Sequence, residues 1–158
     1  MKEEMFTQLI DESLPMLRSV AYRILGNAED ADDAVQEALL RAWKKFDSFQ
    51  SRAKISSWVY RVTANVAYDM LRKHQREEKA LQQTLPEETT APEENSRIES
   101  LTRAIAELPH KFRDALTATF FCGLSGEDAA RLQNCNVNTL YWRVSRAKEM
   151  LYEKLKGC

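Results

Sequence analysis

The chain has 158 residues, of which 44% are hydrophobic and 9% aromatic, enough to fill one or two packed domains and too many for a disordered or fibrous chain. Four Gly, four Pro and an abundance of Ala, Leu, Glu, Lys and Arg predict an all-α protein, and no apolar run approaches the ~18 residues that span a bilayer. A formal net charge of −1 argues at first against a nucleic-acid partner, yet the charges are segregated along the chain.

Residues 1–40 hold three basic and nine acidic side chains, whereas 41–76 hold nine basic ones against Asp47 and Asp69. An acidic stretch follows over 76–98, and Arg131 to Lys156 is basic again, with six cations against Glu149 and Glu153. The start, MKEEMFTQLIDE, has no basic segment leading into an apolar run, so a cytoplasmic protein without membrane insertion is expected. Cys122, Cys135 and Cys158 form no C-x-x-C pair and read as reduced thiols, the first two as small packing residues. His74 and His110 lie near no cysteine or acidic cluster, so neither a metal nor another cofactor is expected.

The first apolar stripe, Met5, Leu9, Ile10, Leu14, Leu17, Val20, Ala21 and Leu25, predicts a helix that Pro15 either kinks or divides. Gly26-Asn27 is a stop followed by an N-cap. Ala28 to Phe46 then has acids at 29–33 in its first turns, Arg41, Lys44 and Lys45 in its last, and Val35, Leu39, Ala42, Trp43 and Phe46 facing inward. Asp47 to Ser57 reads as a polar loop, with Ser56 or Ser57 capping a third helix whose buried stripe includes Val59, Val62, Val66 and Met70.

The opposite face of that helix carries Arg61, Asn65, Tyr68 and Arg72 at i, i+4, i+7 and i+11. Such a mixture suits single-stranded nucleic acid, because aromatic faces stack on bases while Arg neutralises phosphate; an ordinary solvated face is the alternative. Residues 81–96, with Pro86, Pro92 and four Glu, have too little apolar surface to order themselves and predict a linker.

Ser125 to Lys148 outlines two short helices around a tight turn, a helix-turn-helix at about 126–145. Ser125 is the expected N-cap, Asn134 the left-handed turn residue, and Asn136 or Asn138 the cap of the second helix. Val137, Leu140, Val144, Ala147 and Leu151 should face inward, leaving Thr139, Tyr141, Trp142, Arg143 and Arg146 outward to meet a major groove. The alternative is an amphipathic hairpin whose basic face is only solvated.

Taken together, DAVQEALLRAWKKF (33–46), SSWVYRVTANVAYDMLRK (56–73) and LSGEDAARLQNCNVNTLYWRVSRAK (124–148) resemble a bacterial RNA polymerase sigma factor of the sigma-70 family, extracytoplasmic-function type. The resemblance implies a sigma-2-like helical bundle (1–76) and a sigma-4-like helix-turn-helix domain (98–158), joined by a flexible acidic linker (77–97). It implies core RNA polymerase as partner: Asp33, Val35, Gln36, Glu37, Leu40, Arg41 and Lys44 would meet the β′ clamp helices, and the second domain the β flap. It also implies promoter DNA. Trp58, Arg61, Asn65, Tyr68, Asp69, Arg72 and Lys73 would contact the melted −10 element, with 47–56 as a loop able to hold a flipped base. Asn138, Thr139, Tyr141, Trp142, Arg143 and Arg146 would contact the −35 duplex. An anti-sigma protein is a further partner of the family. Where the family usually has Gly, Pro and Gly in and after the turn, this chain has Asn134, Asn136 and Asn138, and Tyr141 and Trp142 replace a basic and a small residue.

No Gly-rich phosphate loop, nucleophile with a His partner or apolar carboxylate pair suggests an enzyme, and no catalytic residue is expected. The competing class is a helix-turn-helix regulator acting without polymerase core.

Overall fold

The computed structural model describes residues 2–49, 54–82 and 93–156. Helix α1, Lys2–Leu25, runs unbroken through Pro15, so the proline neither ends it nor begins another helix. The apolar stripe explains this: Phe6 before the proline and Leu17, Val20, Ala21 and Ile24 after it are buried in one core, and their packing outweighs the hydrogen bond that a proline nitrogen cannot make.

Gly26, at φ 80°, turns the chain out of α1, and the side chain of Asn27 accepts from the Asp30 N–H at 2.8 Å to start α2, Ala28–Lys45. A short 3₁₀ turn, Phe46–Ser48, closes α2. Phe6 packs edge-on against Trp43 and Phe46, at ring-centroid distances of 5.1 and 5.6 Å, pinning the start of α1 to the end of α2.

Helix α3, Ile55–Gln82, begins before the serines expected to cap it. Its first turn is closed by the Trp58 N–H on the Lys54 carbonyl, and Ser57 is buried within that turn. The helix also continues six residues past the expected domain end at 76. Helix α4 likewise starts at Glu93, within the expected linker of 77–97, so both flanks of that segment are helical. Residues 83–92 lie outside the described residues, as do 50–53 of the loop considered for a flipped base.

Helices α1, α2 and α3 pack mutually around Leu17, Val20, Val35, Val59 and Val66. The second unit comprises α4 (Glu93–Ala106), α5 (His110–Leu116), a π-helical turn (Thr117–Phe121), α6 (Gly126–Leu132) and α7 (Val137–Lys156). Its core is Leu108, Phe112, Leu116, Leu132, Leu140, Val144 and Leu151, and burying each such side chain contributes roughly 1.5–3 kcal/mol. Among the described residues there is no strand, no helix long and apolar enough to cross a membrane, and no cluster of three or more His, Cys, Asp or Glu placed to hold a metal. The two units touch along α3, which packs on α4, α6 and the π turn.

Candidate nucleic-acid interface

The helix-turn-helix forms as its sequence predicts. The Ser125 side chain accepts from the Asp128 N–H at 3.1 Å, with Glu127 and Asp128 adding negative charge where the helix dipole favours it. Asn134 takes φ 54°, the one positive-φ non-glycine among the described residues, and thereby turns the chain from α6 toward α7. Of the two asparagines considered for the next cap, Asn136 performs it: its Oδ1 accepts from the Thr139 N–H at 2.7 Å. Leu140, Val144, Ala147 and Leu151 are buried, which fixes the outward face of α7.

On that face Asn138, Tyr141, Trp142 and Arg146 are exposed, while Thr139 and Arg143 are half-buried. Tyr141 lies across the start of α6 so closely that a side chain at Gly126 would collide with its ring. Trp142 leans on Phe112 at 5.9 Å between centroids, keeping 56% exposure. Arg143 donates to the Gln133 side-chain oxygen at 3.2 Å, and Gln133 in turn donates to the Lys111 carbonyl at 3.3 Å. Gln133 and Phe112 were not singled out in the sequence, because nothing in their spacing distinguishes them from ordinary helix-end and core residues.

The stripe predicted on α3 exists, but it faces the second unit. Arg61 pairs with Asp114 at 3.0 Å and donates to the Leu132 carbonyl at 3.4 Å. Tyr68, expected on an accessible face, is fully buried, its hydroxyl sharing a 2.9 Å hydrogen bond with Thr117. Burial pushes the phenol pKa well above its ordinary value, only partly offset by the Thr117 hydrogen bond and nearby Arg113, so Tyr68 serves as a neutral hydrogen-bonding ring. Arg72 donates to the Ala106 carbonyl at 3.0 Å and also pairs with Asp69. Asn65 lines a small cavity with Arg61, Asp114, Thr117 and Cys122.

Of the other proposed −10 residues, Asp69 and Lys73 are exposed, and Trp58 is half-buried against Phe49 at 5.0 Å. Arg113 from α5 lies buried over the Tyr68 ring, 5.4 Å from its centroid. Burial and the neighbouring Arg72 both lower its pKa. Asp114, Thr117 and Arg113 are residues that sequence reading passed over, since their role rests on contacts made some fifty positions away.

Helix α2 keeps its outer face open. Asp33, Gln36, Glu37, Leu40, Arg41 and Lys44 recur at three- and four-residue intervals and are all exposed, and Leu40 presents 57% of its surface amid the charges. Val35 follows the inward face that its period predicts rather than the polymerase contact that the resemblance implies. It is buried in the α1–α2–α3 core, because on α2 it falls on the stripe shared with Ala31, Ala38 and Ala42.

A family model described as Sigma-70 region 2 matches residues 9–77, and one described as Sigma-70, region 4 matches residues 98–151. The chain belongs to the sigma-70 family. The region 2 match covers most of α1–α3, and the region 4 match covers most of α4–α7, including the helix-turn-helix.

Among relatives of this sigma factor, the ECF RNA polymerase sigma factor EcfG of Rhodopseudomonas palustris is 35% identical, over 88% of this chain and 78% of that protein. The ECF RNA polymerase sigma factor SigW of Bacillus subtilis is 27% identical over 98% and 90%. Among solved structures, the sigma factor RpoE of Bartonella quintana, in complex with the anti-sigma factor NepR, is 31% identical with a TM-score of 0.56, covering 96% of each chain. CnrH, in complex with the cytosolic domain of CnrY, shares the fold at 23% identity and a TM-score of 0.59, covering 98% of this chain and 90% of that one. The sigma factor is thus of the extracytoplasmic-function type.

Proposed function

We propose that this chain is a transcription initiation factor that binds core RNA polymerase and directs it to promoters, with no catalytic chemistry of its own. The observation that carries the reading is the order of two sigma modules on one chain, the first presenting an open amphipathic stripe on α2 and the second an open recognition face on α7. Core polymerase would dock on α2 at Asp33, Gln36, Glu37, Leu40, Arg41 and Lys44, with Leu40 as the apolar anchor; α4–α7 would meet the β flap.

The −35 duplex would be read by α7. Its N-terminal turn, Asn138 and Thr139, faces base edges, while Arg143 and Arg146 reach phosphate or bases. The melted −10 strand would be held by α3, with Arg61 and Arg72 on phosphate, Tyr68 stacking, and Asn65, Asp69, Lys73 and Trp58 around them. An anti-sigma protein is a natural further partner, since RpoE was solved bound to one. Such work places the protein in the cytoplasm.

Pull-down with core polymerase followed by run-off transcription tests the reading. Association with core and promoter-dependent transcripts are expected. DNA binding without core association would instead favour a free-standing helix-turn-helix regulator.

A further inference from the structure

Apolar side chains scattered singly over a surface are ordinary, but α7 turns two aromatic rings outward side by side. Tyr141 and Trp142 are both more than half exposed, on the face that also carries Asn138, Ser145 and Arg146. Neither ring is loose. Trp142 leans on Phe112 with 59° between the ring planes, and Phe112 is itself buried in the core of the second unit. The Tyr141 ring lies across Gly126 at the start of α6. Each ring thus has one side fixed by the protein and one side turned outward, so little side-chain entropy is lost when a partner covers it.

The setting of the rings selects the partner. Arg146 follows Trp142 by four residues and Lys148 follows Tyr141 by seven, which puts an exposed cation beside each ring on the same side of the helix. Lys111 is exposed as well, its Nζ 5.0 Å from the centroid of the Phe112 ring that supports Trp142. Rings framed by cations suit a polyanion that offers an apolar point within reach. A paired base is already stacked on both faces and cannot take an aromatic ring. The apolar group that a major groove does present is the C5 methyl of thymine.

Trp142 is the better placed of the two rings. It lies four residues after Asn138, about 40° round the axis, and so continues the line of the N-terminal turn that meets base edges. Tyr141 instead folds back over α6. Trp142 also stands where the family usually has a small residue, so what it reads is particular to this chain.

We propose that Trp142 is a specificity-determining residue that selects thymine in the −35 duplex, by covering the C5 methyl with the side of its ring that Phe112 leaves free. The proposal rests on α7 being the −35 reader and names the base group it reads.

Holoenzyme made from core polymerase and the full-length chain selects bound molecules from a pool of promoter-length random duplexes. In the upstream of the two enriched elements, each thymine is then replaced singly by deoxyuridine, which lacks only the methyl group, and affinities are compared by competition. At one position the wild type should bind the deoxyuridine duplex about fourfold more weakly, the worth of one buried methyl. Trp142→Ala, shown by circular dichroism to be folded, should bind the two duplexes equally. Arg146→Glu should weaken both while keeping their ratio, which separates loss of discrimination from loss of affinity.

A wild-type ratio near one at every thymine overturns the proposal, and so does a ratio that survives Trp142→Ala. An enriched upstream element without thymine overturns it while leaving α7 as the −35 reader. Failure to enrich any upstream element overturns both.

Discussion

One close contact on the recognition side and one buried thiol carry the residue-scale predictions. Gly126 begins α6 beneath the Tyr141 ring, and a methyl group there must displace that ring. Tyr141 is 55% exposed and can swing outward, so Gly126→Ala should leave stability within about 1 kcal/mol of wild type while altering affinity for −35 duplex. Thermal unfolding and a mobility-shift titration measure the two separately. Where the two units meet, burial pushes the Cys122 thiol from its ordinary 9.0 up to about 12. The unfolded chain releases this proton near pH 9 and the folded chain holds it, so the contribution is complete below about pH 9 and is lost as pH climbs toward 12. Urea midpoints should therefore fall as the solution becomes strongly alkaline, and Cys122→Ala should flatten that fall. Burial raises Tyr68 in the same sense, so some alkaline dependence remains in the variant.

At the scale of elements, the proposed function has α2 separate folding from docking on opposite faces. Val35→Ala should cost about 2 kcal/mol in denaturant unfolding, because it empties a site in the three-helix core. Leu40→Glu should leave the midpoint nearly unchanged yet abolish capture by core polymerase. The reverse pattern would exchange their assigned roles. Helix α7 makes the parallel case for DNA: among the described residues Arg146 pairs only with exposed Glu149, at 3.1 Å, a contact of little weight for stability. Arg146→Glu should weaken −35 binding about tenfold and flatten its salt dependence, with core capture intact. Much of this was legible in the sequence. Gly26-Asn27, Ser125 and Asn134 fixed their turns through local chemistry, and the α7 stripe gave its faces by period. Helix ends were less legible: α3 begins before Ser56 because Lys54 supplies the first carbonyl, and it outlasts residue 76 because polar residues such as Arg76 and Lys79 sustain a helix without a core stripe.

For the whole molecule, the least legible property was the accessibility of α3. The spacing of Arg61, Asn65, Tyr68 and Arg72 fixes one face but not its neighbour, since the neighbour comes from 106–132 and meets it only in three dimensions. Val35 drew two readings, inward from the α2 period and a polymerase contact from the family resemblance, and its burial bears out the first, because a family motif mixes residues kept for docking with residues kept for packing. The π turn links these scales. Cys122 donates to the Thr117 carbonyl five residues back, where an α-helix would close over four, so the run from α5 into Phe121 contains a wider turn than its surroundings. Removing one residue from 117–121 would leave Thr117 and Cys122 four positions apart, the span over which an α-helix closes its hydrogen bond, so the wide turn would become an α turn. The two residues would still share a side, about 40° apart around the axis. The π turn thus holds one spare residue, and its loss would shorten the link to the helix-turn-helix while leaving the flanking helical faces in phase.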